Sequence, residues 1–350
     1  MDDTRRTEWQ DGVGLHDLFM TRYDKSLLLQ MNWSFPLTAA RRYEHMSETS
    51  SKLPTRITPI VESRFGLDGG AMFGIIPRPL WSRTNPPDEQ NRIEMTSRCL
   101  LVEYGESRRV LIDVGMGERW SEKEKTIYNV HAQDPALTHA LSTHDLTPEQ
   151  IDDVILTHLH FDHAGGLLRS AATAQQAQEE GVTRPAFTNA THWVQRRNWG
   201  WAHSPSARDG GSYRQEDFAW LAETTRGPKL NLVDGIAEIL PGIEVLPQHG
   251  HTFGMQVVKI TLESCTVVFT ADLIPTSSHL RDPYVMGYDL QPLITVQEKR
   301  ALLYEAARHD WIVCFEHDPS LSFARVEFDE RDQPRCVPIG EEEMPEGLSS

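Results

Sequence analysis

A chain of 350 residues, 39% hydrophobic and 24% charged, is long enough to bury a large core as one big domain or two ordinary ones. Lys and Arg number 34 against 51 Asp and Glu, and the formal net charge of −17 disfavours nucleic acid and anionic membranes, leaving a small-molecule substrate as the expected partner. Cys99, Cys265, Cys314 and Cys336 show no CxxC pairing, no apolar run is long enough for a membrane span, and Met1 to Arg6 leads into no signal-like apolar core, so a soluble, cytoplasmic chain is expected.

Residues 1–55 mix charges, Ser and Thr with isolated apolar islands such as Leu27-Leu28-Leu29. They read as an N-terminal extension, with Met46 as an alternative start, or as an arm. The arm would carry a short helix over Leu15 to Met31 and pack on the domain or on a second copy, giving a homodimer. Residues 56–335 have the pattern of a packed domain. Ile57 to Phe65 alternates as a strand, Gly69-Gly70 opens a turn before Ala71 to Ile76, and Pro77 to Gln90 is a Pro-rich rim loop. Cys99 to Tyr104 and Val110 to Asp113 form a hairpin turning at Gly105-Glu106. Thr147 is a candidate N-cap before Pro148. Ala171 to Glu180 reads as a surface insertion of high helix propensity, Pro185 to Asn189 as a short strand, and Thr191 to Trp201 as an aromatic helix. Gln256 to Leu262 and Cys265 to Thr270 pair about Glu263-Ser264. Thr295 to Arg308 is an amphipathic helix with Val296, Leu302, Leu303 and Ala306 on one stripe, and Trp311 to Phe315 is a buried strand. Residues 336–350 are an acidic tail, loose beyond Gly340.

The densest chemistry stands just after Val154-Ile155-Leu156. His158-Leu159-His160-Phe161-Asp162-His163 places three imidazoles and a carboxylate within six residues. Neutral nitrogen and hard oxygen donors suit a zinc-like divalent ion. The spacing of His158 and His160 aims both rings at one point, and Asp162 and His163 would face a second point nearby, so two ions are expected. Ala164-Gly165-Gly166 lets the backbone turn tightly behind the cluster. An apolar strand that stops at a His or Asp recurs at Asp113, His251, Asp272 and His317. Strands of a shared sheet collect such ends along one edge, so these places can meet. His249 is the rival of His251, and His279 reads as a loop or pocket residue.

HLHFDH with its Gly-Gly, then GHT, then an isolated Asp after a strand, then a late His, is similar to the metallo-β-lactamase superfamily over residues 57 to 330. The stretches DGGAMFGIIPRPLW, DLIPTSSH, MGYDL and FEHDP resemble the branch that holds YtnP-like quorum-quenching N-acyl-homoserine lactonases and methyl-parathion-hydrolase-like enzymes. The resemblance implies an α/β, four-layer αβ/βα sandwich with two metals, usually zinc, at the sheet edge. It assigns His158, His160 and His251 to the first metal and Asp162, His163 and His317 to the second, with Asp272 bridging. Asp113 would support the ligand loop without binding metal. One departure stands out: the best-known short lactonases carry a Tyr three residues after the bridging Asp, and here that position is Pro275. Tyr284 or Tyr288 would have to replace it.

Two ions sharing Asp272 would share a water, lower its pKa toward neutrality and give a bridging hydroxide. Attack of that hydroxide on a lactone is the expected reaction, which the resemblance narrows to an N-acyl-homoserine lactone, with Asp162 relaying a proton to the departing alkoxide. A phosphotriester or arylester hydrolase of the same branch is the alternative. No GxSxG, Walker loop or GxGxxG competes. Phe73, Ile75, Trp81, Phe253 and Met286 are the candidate pocket wall.

Overall fold

The structure, a computed structural model, describes residues 53–132, 136–170, 183–223 and 229–349. The arm helix over Leu15 to Met31, nearly all of residues 1–55, and Ala171 to Glu180 lie outside the described residues. The first half contributes β1 (Arg56–Asp68), β2 (Arg92–Glu103), β3 (Arg109–Ile112), β4 (His131–Ala132), β5 (Asp153–Ile155), β6 (Leu168–Ser170), β7 (Thr183–Pro185), β8 (Thr191–Gln195) and β9 (Lys229–Val233). The second contributes β10 (Ala237–Leu240), β11 (Ile243–Gln248), β12 (Met255–Thr261), β13 (Thr266–Phe269), β14 (Ile312–Cys314), β15 (Phe323–Phe328) and β16 (Pro334–Pro338). They make two seven-stranded sheets, ordered β4-β1-β2-β3-β5-β8-β9 and β10 through β16 in sequence, beside a ribbon of β6 and β7.

Period-two alternation divides each central strand between two layers. Leu100 and Val102 of β2, Val110 and Ile112 of β3, and Ile155 of β5 join Val245, Val257, Val267 and Phe269 of the second sheet in one core. Their neighbours Cys99, Leu101, Leu111 and Val154 face the other way, onto Leu137 and Leu141 of helix Ala136–Ser142 and Ala202 of helix Arg196–His203. Helix Pro292–Arg308 packs Leu302, Leu303 and Ala306 on the second sheet. The layers are helices, sheet, sheet, helix. No described helix is long and apolar enough to cross a membrane.

Strand direction positions the site. β3, β5, β8 and β9 are mutually parallel. β13 and β14 are parallel, and β11, antiparallel to β12, runs with them. The C-terminal ends of β3 and β5 open on the same rim as those of β11, β13 and β14, and these ends carry Asp113, His158, His251, Asp272 and His317.

Local readings differ from the structure in several places. Thr191 to Gln195 is strand β8, and helix begins only at Arg196. β8 pairs with β5 on one edge and β9 on the other and runs straight into the helix, so no Gly or Pro marks the boundary at Arg196. Gly69-Gly70 does not stand as a turn ahead of Ala71: both glycines belong to the helical turn Gly69–Phe73, capped by Asp68, whose carboxylate accepts from the Ala71 amide at 2.8 Å. β7 ends at Pro185. The tail beyond Gly340 is docked: Ile57 donates to the Gly347 carbonyl at 2.7 Å, and Ser349 to the Ile57 carbonyl at 2.9 Å. Leu348, an apolar residue in an acidic run, is 7% exposed there, and its burial holds the tail down.

Gly165 and Gly166 serve close packing more than turning, since neither has a positive φ. A Cβ on Gly166 would stand 2.0 Å from the Val114 carbonyl oxygen, and one on Gly165 2.2 Å from that of Met116. The ligand loop lies directly on the backbone that follows β3, and Val114 donates to the His163 carbonyl at 2.9 Å.

Candidate metal centre

Each donor is carried to the rim by a strand end. After β5, Thr157 and His158 lead to His160, and the single helical turn Phe161–Ala164 presents Asp162 and His163. β11 delivers His251, the turn after β13 delivers Asp272, and β14 delivers Glu316 and His317. All seven expected ligands are buried, and the most open, His160 and Asp162, are each 6% exposed. His158, His160, His251 and Asp272 converge in one group, and Asp162, His163 and His317 in another. Asp272 stands between them. Its Oδ2 is 3.0 Å from Nε2 of His251, 3.6 Å from Nε2 of His158 and 3.5 Å from Nε2 of His163, while its Oδ1 is 2.9 Å from Nε2 of His317.

The far sides of the rings fix which nitrogen faces the centre. Nδ1 of His317 donates to the Thr96 carbonyl at 2.8 Å, and Nδ1 of His251 donates to Oδ1 of Asp289 at 2.9 Å. Nδ1 of His163 lies 3.0 Å from Oδ2 of Asp113 and 3.0 Å from Oε1 of Glu316. The Thr157 hydroxyl donates to Oδ2 of Asp113 at 2.6 Å, which leaves its oxygen to accept from Nδ1 of His158 at 3.1 Å. His160 turns Nδ1 inward, 3.0 Å from Nε2 of His158 and 3.2 Å from Nε2 of His251. Five nitrogen lone pairs therefore point at a small shared volume.

Five ring nitrogens and a carboxylate packed this closely and buried are a costly arrangement unless protons or a cation lie among them. Imidazole and carboxylate without thiolate suit divalent zinc-like ions, and the residues present fit such a group. Protons and a metal compete here. Burial pushes His251 down, but the carboxylates of Asp272 and Asp289 outweigh it and raise it to about 10. His317 rises to about 9 against the same burial, through Asp272 and Glu316. Burial and the neighbouring rings push His158 and His160 well below the ordinary value. Burial also opposes the charge on Asp272, yet His251, His317 and His163 hold its carboxyl well below the usual range. A divalent ion held by these residues would take the place of those protons.

Asp113 lies beneath the centre, outside those two groups, and makes a third with His163 and Glu316. It adopts φ +54 and accepts from the Thr157 amide at 2.7 Å, so it braces the turn that carries His158 as well as orienting His163. His249 is turned away, with Nδ1 accepting from the Gly254 amide at 3.1 Å. His279 is a pinned packing residue: Thr276 donates to its Nδ1 at 2.8 Å, its Nε2 donates to the Met72 carbonyl at 2.9 Å, and its ring stacks on Phe73 at 4.5 Å.

The five pocket candidates are not gathered into one wall. Phe73, Trp81 and Met286 are buried in an aromatic cluster with Phe65 and Phe161. Ile75 is 84% exposed at the surface, and Phe253 packs edge-on against Trp201, with Arg197 over its ring. Tyr284 meets Phe73 edge-on, and Tyr288 is 37% exposed. The phenol that does pack on a ring of the cluster is Tyr213, 4.6 Å from His160 between ring centres and hydrogen-bonded with the Thr252 hydroxyl at 2.7 Å. No spacing in the sequence pointed to it. Asp289, Thr157, Glu316 and Glu298 also went unread. Asp289 lies inside the MGYDL stretch, which was noted only for its resemblance.

The sequence profile described as "Metallo-beta-lactamase superfamily" matches residues 93–317. An N-acyl homoserine lactonase of Bacillus cereus is 27% identical over 242 residues, covering 65% of this chain and 83% of that protein. The crystal structure of a probable metal-dependent hydrolase from Staphylococcus aureus superimposes with a TM-score of 0.69 at 28% identity, covering 81% of this chain and 96% of the other. AidC, a dizinc quorum-quenching lactonase in complex with a product homoserine, shares the fold with a TM-score of 0.64 at 17% identity, covering 81% and 94%.

Proposed function

The chain belongs to the metallo-β-lactamase superfamily and is a metal-dependent hydrolase, and from that premise we propose that it opens lactone rings, N-acyl-homoserine lactones first among them, at a pair of divalent ions. The observation that carries the reading is the position of Asp272 between the two groups: its Oδ2 lies near His251 and His158 of one and His163 of the other, and its Oδ1 meets His317. His158, His160 and His251 would hold one ion, Asp162, His163 and His317 the other, and Asp272 both. Zinc suits this set best. Bound there, the ions supply Lewis acidity toward a carbonyl oxygen and acidify water to near neutrality.

The chain's own residues do the rest. Asp113, Asp289 and the Thr96 carbonyl keep the Nδ1 protons of His163, His251 and His317 on the outer side, so each ring offers a lone pair inward. Asp162 is one of the two most accessible donors and acts as the proton relay to the leaving alkoxide. A phosphotriester or arylester hydrolase is the second reading. It is favoured by Pro275 standing three residues after Asp272, where its carbonyl accepts from the His317 amide at 2.9 Å and offers no hydroxyl to a substrate. The reading also includes a homodimer built through residues 1–55 and a cytoplasmic location.

Elemental analysis of the purified protein, followed by pH-stat hydrolysis of a medium-chain acyl-homoserine lactone with a chelated control, tests the proposal. About two zinc ions per chain and chelator-sensitive acid release are expected. Two ions with turnover of paraoxon or an aryl ester but not of the lactone would transfer the assignment to the second reading. One ion at saturation would end the dinuclear one.

A further inference from the structure

The apolar stripe of helix Pro292–Arg308 suggests docking by hydrocarbon alone, yet adjacent charged residues, Glu298 and Lys299, are buried in it at 6% and 0% exposure. Each directs its charge at backbone. The Glu298 carboxylate accepts from the His249 amide at 2.7 Å through Oε1 and from the Gly250 amide at 2.9 Å through Oε2. Nζ of Lys299 donates to three carbonyls, those of His279, Arg281 and Tyr284, each at 2.8 Å. The same end of the helix adds Gln291, whose side chain donates to the His249 carbonyl at 3.0 Å and whose amide donates to the Gly250 carbonyl at 2.8 Å. Thr295 lies so close that a Cβ on Gly250 would stand 2.3 Å from its Oγ1.

The two segments gripped in this way are the two that define one ligand. Residues 249–251 carry the His251 ring, and residues 279–289 carry Asp289, which holds its Nδ1. Leu290 closes the circuit by donating to the His251 carbonyl at 3.0 Å. Burying two opposite charges in a helix that could dock with apolar side chains is costly. What the charges supply, and hydrocarbon cannot, is a fixed register between two loops.

We propose that Glu298 and Lys299 are positioning residues for His251, setting the ring against Asp289 and thereby the affinity of the ion held by His158, His160 and His251. The inference rests on the reading of His251 as a ligand. The metal-stripped full-length protein, titrated with Co2+, tests it through the visible absorption of each site as it fills. Glu298→Gln keeps one acceptor oxygen and turns an NH2 toward the second amide. It is expected to weaken one of the two sites about tenfold and to shift its absorption, leaving the other site native. Lys299→Met is expected to do the same. Leu302→Ala, in the apolar core of the same helix, should lower Tm while both sites remain native. Native binding at both sites in Glu298→Gln overturns the proposal, and so does a weakening that Leu302→Ala reproduces at equal Tm. If neither charge variant folds, Gln291→Ala at the start of the helix decides, with a smaller weakening of the same site expected and native binding overturning the proposal. His251→Ala separates the two levels. Loss of one site there, with native binding in Glu298→Gln, removes only the positioning role. Two intact sites in His251→Ala remove the ligand reading itself.

Discussion

Asp289 gives the most direct measure of how much the surroundings of a ring contribute to metal binding. Its Oδ1 accepts from Nδ1 of His251 at 2.9 Å, and the two residues are 1% and 2% exposed, so water does not screen the pair. A hydrogen bond to a buried charged acceptor is worth about 1.5–3 kcal/mol. At about 1.4 kcal/mol per tenfold, its loss corresponds to roughly 10–100-fold in affinity for the ion that His251 holds, the range found for partners of metal-bound histidines. Asp289→Asn retains an oxygen that can accept from Nδ1 and loses only the charge, so it belongs near the low end, about 3–10-fold. Asp289→Ala leaves Nδ1 with no acceptor and the ring free to turn, and belongs near 100-fold. Competition against a chromophoric chelator at fixed pH measures both ions in sequence, and the second ion should keep its native affinity in both variants. Native affinity for both ions in Asp289→Ala would show that packing alone aims His251. Equal weakening of both ions would show that the carboxylate acts through the fold and not through one ring.

Asp272→Ala should lose metal and activity together, whereas Asp113→Ala mainly lowers occupancy; full activity in Asp272→Ala at low metal content would end the dinuclear reading. Gly166→Ala should destabilise the protein by at least about 1–3 kcal/mol in urea denaturation, because its Cβ meets a backbone carbonyl that cannot swing aside. Glu62 gives a pH signature. Burial pushes it from the ordinary 4.5 up to about 7, outweighing the Met116 and Gly117 amides that it accepts from. The folded protein then holds this proton more tightly than the unfolded chain, so the contribution to stability is present below about 4.5 and fades as pH rises to about 7. Glu62→Gln should flatten the fall of Tm across that window, and an unchanged slope would show that the group does not titrate there. A chain lacking residues 1–45 should keep its chemistry if they are an extension, and light scattering will show whether it also keeps its oligomeric state.

The ligand motif was legible because metal chemistry demands particular atoms at short spacing. His158, His160, Asp162 and His163 put four donor atoms in one short run, and the strands before Asp113, Asp272 and His317 carry strong apolar patterns. Those patterns also gave the β2–β3 and β12–β13 hairpins, since an antiparallel pair joined by a short turn is a local object. Other features depend on residues far apart in the chain. Thr191 to Gln195 pairs with β5 and β9 on its two edges while Arg196 to His203 goes on as helix, so one aromatic run spans two elements. Phe73, Trp81 and Met286 have the residue types of a pocket wall, but they are buried together in one cluster, where Phe73 stacks on Trp81. Asp289, Glu298 and Lys299 have no spacing that relates them to His251, because backbone amides and carbonyls, which every residue carries alike, are what most of them bind. The sequence determined which atoms could meet a metal; only the tertiary structure decided how each ring is held, because orientation depends on contacts between loops that strand order alone brings together.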